Sequence, residues 1–211
     1  MGLREERENK FKKQYGSKKK AEKYDSWTVK DKKDYKIEVK KIRNLIAEYG
    51  KYKYKTLLDV GCGTGSHLEI LKKYYECTGI DIYANMLKIA KRKVQDVKFI
   101  QADMRQFNLN KKFDIIISLF SVILYSGTYS NFKKTIKNMY NHLNVGGILI
   151  LEPFYQKELE LKKGKKLNKY YLYNEPVKWI KIMSDIGFKT IYLKNIFLDN
   201  PEKGLYIAIK K

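Results

Sequence analysis

Apolar runs alternate with amphipathic segments along most of this chain. The short runs that are apolar throughout predict five strands, at residues 56–61, 77–82, 97–102, 113–120 and 146–154. Between them, apolar positions recur at helical spacing over 66–75, 84–93 and 129–143. Strands of this kind, separated by helices, are typical of a parallel sheet that is covered on both faces. The pattern therefore predicts an α/β fold.

The two ends of the chain extend this core. Residues 1–30 are charged, with interspersed aromatic side chains, and predict a helical arm or lid. An amphipathic helix follows over 31–49 and ends at Gly50. We expect residues 31–211 to form a single domain, since 211 residues suffice for one core and not two.

The C-terminal part departs from the alternating pattern. The run 156–170 has little apolar content and predicts a mobile loop, and 175–186 predicts a helix. Two strands, 188–198 and 204–210, then flank a turn at Asp199, Asn200 and Pro201. They predict an antiparallel hairpin at the edge of the sheet.

Composition restricts the function classes. The formal net charge is +22, but 40 of the 45 basic residues are lysines, whereas recognition of bases or phosphates by paired hydrogen bonds favours arginine. A solvated lysine coat explains the same charge. No apolar run is long enough for a membrane span, and the first residues lack a signal peptide, so we expect a cytoplasmic protein without a membrane partner. Cys62 and Cys77 fit neither a metal site nor a disulfide framework.

Three glycines give the strongest chemical signal. Gly61, Gly63 and Gly65 follow a buried strand and precede a helix, where they let the backbone turn tightly and approach a ligand. Ser66 stands where a dinucleotide fingerprint has its last glycine, which disfavours NAD. The glycines predict a nucleotide-like cofactor, with a purely structural turn as the alternative.

Two carboxylates extend the candidate site. Asp81 ends the second strand, where a carboxylate binds ribose hydroxyls, and Asp103 follows the third strand, where it can accept from an adenine amino group. Ile82 and Met104 would then be apolar walls around the adenine ring. The alternatives are a solvated strand end for Asp81 and ordinary core positions for Ile82 and Met104.

The ordered motifs LLDVGCGTGSHL, GIDIYANMLKIAK, FIQADM, FDIIISLF and HLNVGGILILEPF resemble those of class I S-adenosylmethionine-dependent methyltransferases. The resemblance implies a Rossmann-like, doubly wound, seven-stranded sheet, mostly parallel, with helices on both faces and the antiparallel hairpin at its C-terminal edge. It also implies S-adenosylmethionine as cofactor and S-adenosylhomocysteine as product. The implied cofactor residues are Asp59, Gly61, Cys62, Gly63, Gly65, Asp81, Ile82, Met86, Asp103, Met104 and Leu119, with Phe120 as an alternative to Leu119.

The motifs KYDSW, KDYKIEVKKI, GTGSHL, DMRQF, EPF and KGLYIAIK are similar to those of N,N-dimethyltransferases that modify nucleotide-linked amino sugars. Residues 155–174 stand in place of a longer insertion in that family. The resemblance places Tyr125 opposite the methyl acceptor, and Tyr24 in the arm is a second catalytic candidate; plain packing is the alternative for both. We expect His67 to be packed or capping, and His142 to face solvent or the helix dipole.

Three functions remain open at this stage. The first is methylation of a small-molecule acceptor, with an amine favoured. The second is RNA methylation through a lysine-rich arm (residues 10–23) and loop (162–169), and the third is a binding module without turnover. We expect a small-molecule partner rather than nucleic acid, no metal ion, and a monomer or homodimer.

Overall fold

A seven-stranded mixed sheet forms the centre of the protein. The structure is a computed structural model that describes residues 6, 9–30, 34–50, 53–153, 172, 175–194 and 204–211, with only the backbone of 14, 27–30 and 194. The strands, in chain order, are β1 Thr56–Val60, β2 Glu76–Asp81, β3 Lys98–Gln101, β4 Phe113–Ser118, β5 Leu143–Leu151, β6 Phe188–Lys194 and β7 Gly204–Lys210. Their order in the sheet is β3-β2-β1-β4-β5-β7-β6.

The strand pairing confirms the predicted fold class. The strands β1 to β5 pair in parallel, and β7 pairs antiparallel with both β5 and β6. The C-terminal hairpin therefore closes one edge of the sheet, with β6 outermost. The predicted turn at 199–201 and the strand end at 195–198 lie outside the described residues.

Helices cover both faces of this sheet. They are α1 Lys18–Lys30, α2 Tyr35–Tyr49, α3 Ser66–Leu71, α4 Ala84–Lys93, α5 Tyr129–Asn141 and α6 Pro176–Ile186, with a π-helical turn at Lys12–Gly16 and a 3₁₀ turn at Val122–Ser126. One core cluster joins α2, α3 and α4 to the sheet, and the other joins α5 and α6 to its opposite face. Neighbouring residues such as Leu57 and Leu58 fall in opposite clusters, because side chains of a strand alternate between faces.

Some predicted elements are longer than the observed ones. The helix predicted over 66–75 ends at Leu71, because Lys73 and Tyr74 bond to Ile70 and Leu71 in tighter i→i−3 turns. The fourth strand ends at Ser118, before Phe120 and its left-handed backbone. The fifth strand instead begins earlier than predicted, at Leu143, and ends at Leu151.

The arm lies against the carboxyl side of the sheet. Its π-helical turn and α1 both contact α4. Phe11 and Ala21 are buried, and Asn85 donates from Nδ2 to the carbonyl of Gly16 at 2.6 Å. The division into an arm of residues 1–30 and a domain of residues 31–211 stays a prediction. In the part of the chain that the structure describes, no helix is long and apolar enough to cross a membrane.

Candidate cofactor and acceptor site

The glycine loop connects β1 to α3 and is anchored on β2. The N–H groups of Gly61 and Cys62 donate to the carbonyl of Ile80 at 2.8 and 3.0 Å, and Gly65 donates to Cys62 at 2.9 Å. Gly61, Gly63 and Gly65 all have left-handed backbone, with φ of 82°, 55° and 78°. Because residues with a side chain rarely adopt this backbone conformation, the shape of the loop favours glycine at all three positions.

The three glycines differ in what surrounds them. A Cβ at Gly61 would overlap Cγ1 of Val122, and one at Gly65 would lie 3.2 Å from Phe99. Among the residues that the structure describes, a Cβ at Gly63 would meet only Cε1 of Tyr24, at 3.9 Å. Gly63 is therefore the glycine with open space beside it, on the side where the arm passes over the loop.

Asp81 connects the loop to the end of β2. Its Oδ2 accepts from the N–H of Gly63 at 2.9 Å, and its Oδ1 accepts from the N–H of Tyr83 at 2.8 Å. Burial raises the pKa of Asp81 above its ordinary value, although hydrogen bonds from the backbone of Tyr83, Gly63 and Ile82 partly offset this effect. A carboxylate has about four lone-pair sites, so with three backbone donors the group can still accept a hydroxyl proton from a ligand.

Asp103 lies beside Asp81 at the end of β3, where the N–H of Ala102 bonds to the carbonyl of Asp81 at 3.0 Å. Its carboxylate accepts from the guanidinium of Arg105, whose Nε lies 2.9 Å from both oxygens. Ile82 is 46% exposed next to this pair, which is unusual for an isoleucine at the end of a buried strand. Sequence reasoning did not identify Arg105 as the partner of Asp103.

The remaining predicted cofactor residues are mostly covered. Met86 and Leu119 are 3% and 4% exposed, and Met104 packs against the core on the α5 side. Asp59 is buried in β1, and Cys62 is buried in the α2 side of the core. Burial, with Asp59 and Asp81 nearby, raises the pKa of the Cys62 thiol well above its ordinary value. The thiol is therefore neutral and unsuited to attack.

Glu152 organises the segment after β4, a role that sequence reasoning missed. Its Oε2 accepts from the N–H of Phe120 at 2.9 Å, and its carbonyl accepts from the N–H of Ser121 at 3.0 Å. Phe120 and Ser121 both have left-handed backbone, with φ of 55° and 64°. Glu152 is 2% exposed and follows β5, so it joins the carboxyl ends of two neighbouring strands.

Tyr125 follows in the 3₁₀ turn and contacts the arm. Its hydroxyl lies 2.7 Å from the hydroxyl of Tyr15, and its ring packs edge-on against Phe11 with centroids 4.5 Å apart. Tyr15 also lies near Tyr24 and Tyr83, with ring centroids 6.4 and 6.5 Å away. The structure thus brings Tyr24 and Tyr125 together through Tyr15, which sequence reasoning did not single out.

The environment of Tyr24 restricts its chemistry. Burial raises the pKa of the Tyr24 phenol well above its ordinary value, and the nearby groups Tyr35, Tyr15, Asp81 and Asp25 add to the rise. The phenol is therefore neutral at physiological pH. It can donate or accept a hydrogen bond, but it cannot act as a phenolate base.

The two histidines have structural partners. Nε2 of His67 lies 2.9 Å from Oε2 of Glu38, and both side chains are buried, as the packed role predicts. Of the two expectations for His142, exposure to solvent is wrong, since it is 8% exposed and its ring packs on Phe107. The contact with the helix end is confirmed, since its Nδ1 lies 2.9 Å from the carbonyl of Asn138 in the last turn of α5. In the described part of the chain, no cluster of His, Cys, Asp or Glu is arranged to hold a metal ion.

A cavity of about 450 Å³ lies at the opposite edge of the sheet, between the segment before β4 and the end of α5. It is lined by asparagines and lysines, including Asn108, Lys112 and Asn141. This edge holds the amino ends of the strands, whereas open α/β sheets bind ligands at the carboxyl ends. The glycine loop, Asp81 and the tyrosines therefore form the better candidate site.

Comparison with known proteins agrees with this geometry. Residues 57–147 match the family model described as a methyltransferase domain. The chain is 33% identical over 136 residues to dTDP-3-amino-3,4,6-trideoxy-alpha-D-glucopyranose N,N-dimethyltransferase of Streptomyces venezuelae. That match covers 64% of this chain and 57% of the relative, so the chain spans little more than half the relative's length.

Two solved structures share the fold over nearly the whole chain. DesVI of Streptomyces venezuelae has a TM-score of 0.80 at 23% identity, covering 90% of this chain and 98% of the other. CalS10 of Micromonospora echinaspora, an amino pentose methyltransferase with bound S-adenosylmethionine, has a TM-score of 0.78 at 21% identity, covering 89% and 96%.

The strand order, the helices on both faces and the two solved structures together define a Rossmann-like methyltransferase fold. The match to the methyltransferase-domain model takes in residues 57–147, a little less than half of this chain. The resemblance to class I S-adenosylmethionine-dependent methyltransferases is confirmed, and so is the similarity to the N,N-dimethyltransferases of nucleotide-linked amino sugars.

Proposed function

We propose that this chain is an S-adenosylmethionine-dependent methyltransferase that acts on an amine of a small molecule. The observation that carries the proposal is the hydrogen bond between Asp81 and the N–H of Gly63. It joins a ribose-type carboxylate to the one loop glycine that has open space beside it. Both residues lie at the carboxyl edge of the sheet, where Tyr24 approaches Gly63.

The residues present fit the cofactor. Asp81 accepts from the ribose hydroxyls, Ile82 and Met104 flank the adenine, and Asp103, oriented by Arg105, accepts from its amino group. The backbone of the loop at 61–65 and the buried Asp59 face the methionine part. Cys62 contributes through its backbone, because its side chain packs in the core.

The remaining cofactor residues hold this surface in place. Met86 and Leu119 are buried supports, Leu119 at the end of β4. S-adenosylmethionine would supply an electrophilic methyl group on a sulfonium sulfur: the amine lone pair bonds to the methyl carbon, the C–S bond breaks, and S-adenosylhomocysteine leaves with the electron pair of that bond. The protein's task is therefore to align the acceptor and to exclude water.

Tyr125 and Tyr15 are the groups best placed to act on the acceptor. The paired hydroxyls lie 2.7 Å apart, so one phenol donates to the other and the second keeps a lone pair that can accept an N–H proton of the amine. This hydrogen bond would orient the amine with its lone pair towards the methyl group. Tyr24, whose phenol is neutral, acts by covering the cofactor and by hydrogen bonding rather than as a base.

An amino sugar is the acceptor class that we favour. The curated relatives are N,N-dimethyltransferases of dTDP-linked amino sugars, which supports an amine on a sugar or a similar small molecule. Residues 155–174, which replace a longer insertion in that family, lie largely outside the described residues.

RNA is a second candidate acceptor, because exposed basic residues of the arm and of α4 form a common surface. The lysines of the arm are exposed and lie next to the exposed basic residues of α4; the set comprises Lys18, Lys19, Lys20, Lys23, Lys88, Lys91 and Arg92. Such a surface attracts phosphates, but it is expected to do so without sequence preference. The third alternative, a silent binding module, is disfavoured because every predicted cofactor residue is present.

We further propose that the protein works in the cytoplasm, as a monomer or a homodimer. Cys62 and Cys77 are both buried free thiols, which suits a reducing compartment.

A methyl-transfer assay tests the function directly. Labelled S-adenosylmethionine is offered with dTDP-amino sugars, simple amines and total RNA, and the products are identified by mass spectrometry. Transfer to an amino sugar or amine, strongly reduced in Asp81→Ala, is the expected result. Transfer to RNA alone would establish the second candidate, and cofactor binding without transfer to any acceptor would favour the silent module.

A further inference from the structure

The carboxylate of Asp25 joins three parts of the molecule that are distant in sequence. It lies on α1 of the arm and pairs with Nζ of Lys93, the last residue of α4, at 2.7 Å. It also accepts from the hydroxyl of Thr64, in the glycine loop, and from that of Ser66 at 3.3 Å, at the start of α3. Nζ of Lys93 donates in turn to Ser66 at 2.8 Å.

We propose that Asp25 and Lys93 form a latch that holds the arm on the glycine loop and sets the rate at which cofactor enters and leaves. The inference rests on the proposed function, because it takes the space beside Gly63 as the cofactor site. Asp25 is a positioning residue here: it acts on the loop through Thr64 and Ser66.

The position of the network supports this role. Thr64 lies between Gly63 and Gly65 and is 1% exposed, so its hydroxyl can meet Asp25 only while the arm is in place. Tyr24, the neighbour of Asp25, is the residue that covers Gly63. A ligand that binds beside Gly63 is therefore released only after the arm moves, and arm movement breaks the bonds of Asp25.

The ion pair between Asp25 and Lys93 should make the latch sensitive to ionic strength. The side chains of Lys93 and Asp25 are 24% and 38% exposed, so the pair is partly open to water and to salt. Exposed ion pairs weaken as ionic strength rises, whereas apolar packing of the arm through Phe11 and Ala21 does not. Salt should therefore weaken the latch without unfolding the arm or the core.

The test combines two variants with two matched controls. Asp25→Asn keeps the size of the side chain and removes its charge, and Lys93→Met removes the ammonium group. Glu22→Gln, on the exposed side of α1, and Lys91→Met, exposed in the last turn of α4, change the same charges outside the network.

The first readout needs no cofactor. Amide hydrogen exchange over residues 18–26 and 62–66 should speed up by about 3- to 30-fold in Asp25→Asn and in Lys93→Met, and hardly change in the controls. The double variant should exchange no faster than the faster single variant, because either change breaks the same pair. Unchanged exchange in both single variants, or simple addition of their effects, would overturn the latch.

The second readout is the dissociation rate of S-adenosylhomocysteine, measured by stopped flow at two salt concentrations. We expect dissociation of the product to be faster in both latch variants, and salt to accelerate it in the parent but much less in the variants. Equal salt dependence in all four variants and the parent would mean that Asp25 only packs the arm. If no variant and no parent protein bound the cofactor, the proposed function would fail, while hydrogen exchange would still decide the latch.

Discussion

The hydroxyl groups of Tyr15 and Tyr125 lie 2.7 Å apart, although 110 positions separate them in the chain. Tyr15 comes from the π-helical turn of the arm and Tyr125 from the 3₁₀ turn after β4. In such a pair a phenol oxygen still has a lone pair that can accept an N–H proton of an amine. This contact leaves the lone pair of the amine nitrogen free to point towards the methyl group. If the proposed function is correct, the arm and the sheet build the acceptor site jointly.

Removing either hydroxyl should separate turnover from cofactor binding. We expect Tyr125→Phe to lower turnover by about 10- to 10⁴-fold, because only the acceptor loses an interaction in the transition state. Tyr15→Phe should show part of this loss, since Tyr125 keeps its own hydroxyl. Calorimetry with S-adenosylhomocysteine should give nearly unchanged affinity for both.

Tyr74→Phe is the matched control for these variants, because Tyr74 is exposed and Phe keeps the ring that faces Arg43. A Tyr125→Phe enzyme with full activity on its true acceptor would leave Tyr125 as a packing residue. Catalysis would then rest on alignment alone, with Tyr24 covering the cofactor.

Under the proposed function, we expect Asp81 to make cofactor binding dependent on pH in a specific direction. Burial raises the pKa of this carboxyl, so its protonation begins at a higher pH than that of an ordinary aspartate. Since the ionised form accepts ribose hydroxyl protons, affinity should fall as pH decreases through this raised pKa. For folding the sign is opposite: stability that Asp81 contributes is present at low pH and lost as pH rises through the same pKa.

Calorimetric titrations between about pH 7 and pH 4 check this expectation. Asp81→Ala should weaken binding at neutral pH by about 1.5 to 3 kcal/mol, and its remaining affinity should change less with pH than that of the parent. Asp103 and Asp59 are unchanged in this variant, so the difference between the two profiles reports Asp81. Parallel profiles would show that another carboxylate controls the pH dependence.

Much of this fold could be predicted from the sequence, because continuous apolar strands and amphipathic helices report burial directly. The site residues at the strand ends were predictable for the same reason: a carboxylate such as Asp81 is conspicuous after an apolar run. Glu152 ends the run GGILIL in the same way, and that signal could have identified it. The contacts of Asp25 and Tyr15 could not be predicted, because no periodicity tells which distant residue a half-buried polar side chain will meet.

Two glycines of the loop should respond differently to the same substitution. In Gly61→Ala two costs add: the new methyl group overlaps Val122, and alanine must adopt the left-handed backbone conformation. We therefore expect a loss of about 2 to 5 kcal/mol in the free energy of unfolding. In Gly63→Ala only the backbone cost of about 1 to 2 kcal/mol applies. The Gly63 variant should instead lose cofactor affinity, because its methyl group enters the open space.

Chemical denaturation and calorimetry on both variants distinguish these effects. A Gly63→Ala protein that folds and binds S-adenosylhomocysteine like the parent would show that the space beside Gly63 is not the cofactor site. A Gly61→Ala protein as stable as the parent would mean that Val122 moves away at little cost.

We expect Glu152 to stabilise the loop after β4 and thereby to support turnover. Glu152→Ala removes the acceptor of the Phe120 N–H, a backbone group held in left-handed conformation, and we expect a stability loss of about 1 to 3 kcal/mol. Because Tyr125 follows this loop, turnover should fall further than stability alone explains. Glu152→Gln keeps one carbonyl oxygen that can accept from Phe120, so it should restore most of the stability and part of the rate.

Thermal denaturation and steady-state kinetics on these two variants, with the exposed Glu69→Gln as control, separate the loop's fold from its function. Rescue by glutamine identifies the hydrogen bond to Phe120, rather than the negative charge, as the important feature. If the alanine variant kept full turnover at temperatures where it is folded, Glu152 would stabilise the loop without positioning Tyr125. The acceptor site would then depend on the arm, through Tyr15, more than on the end of β5.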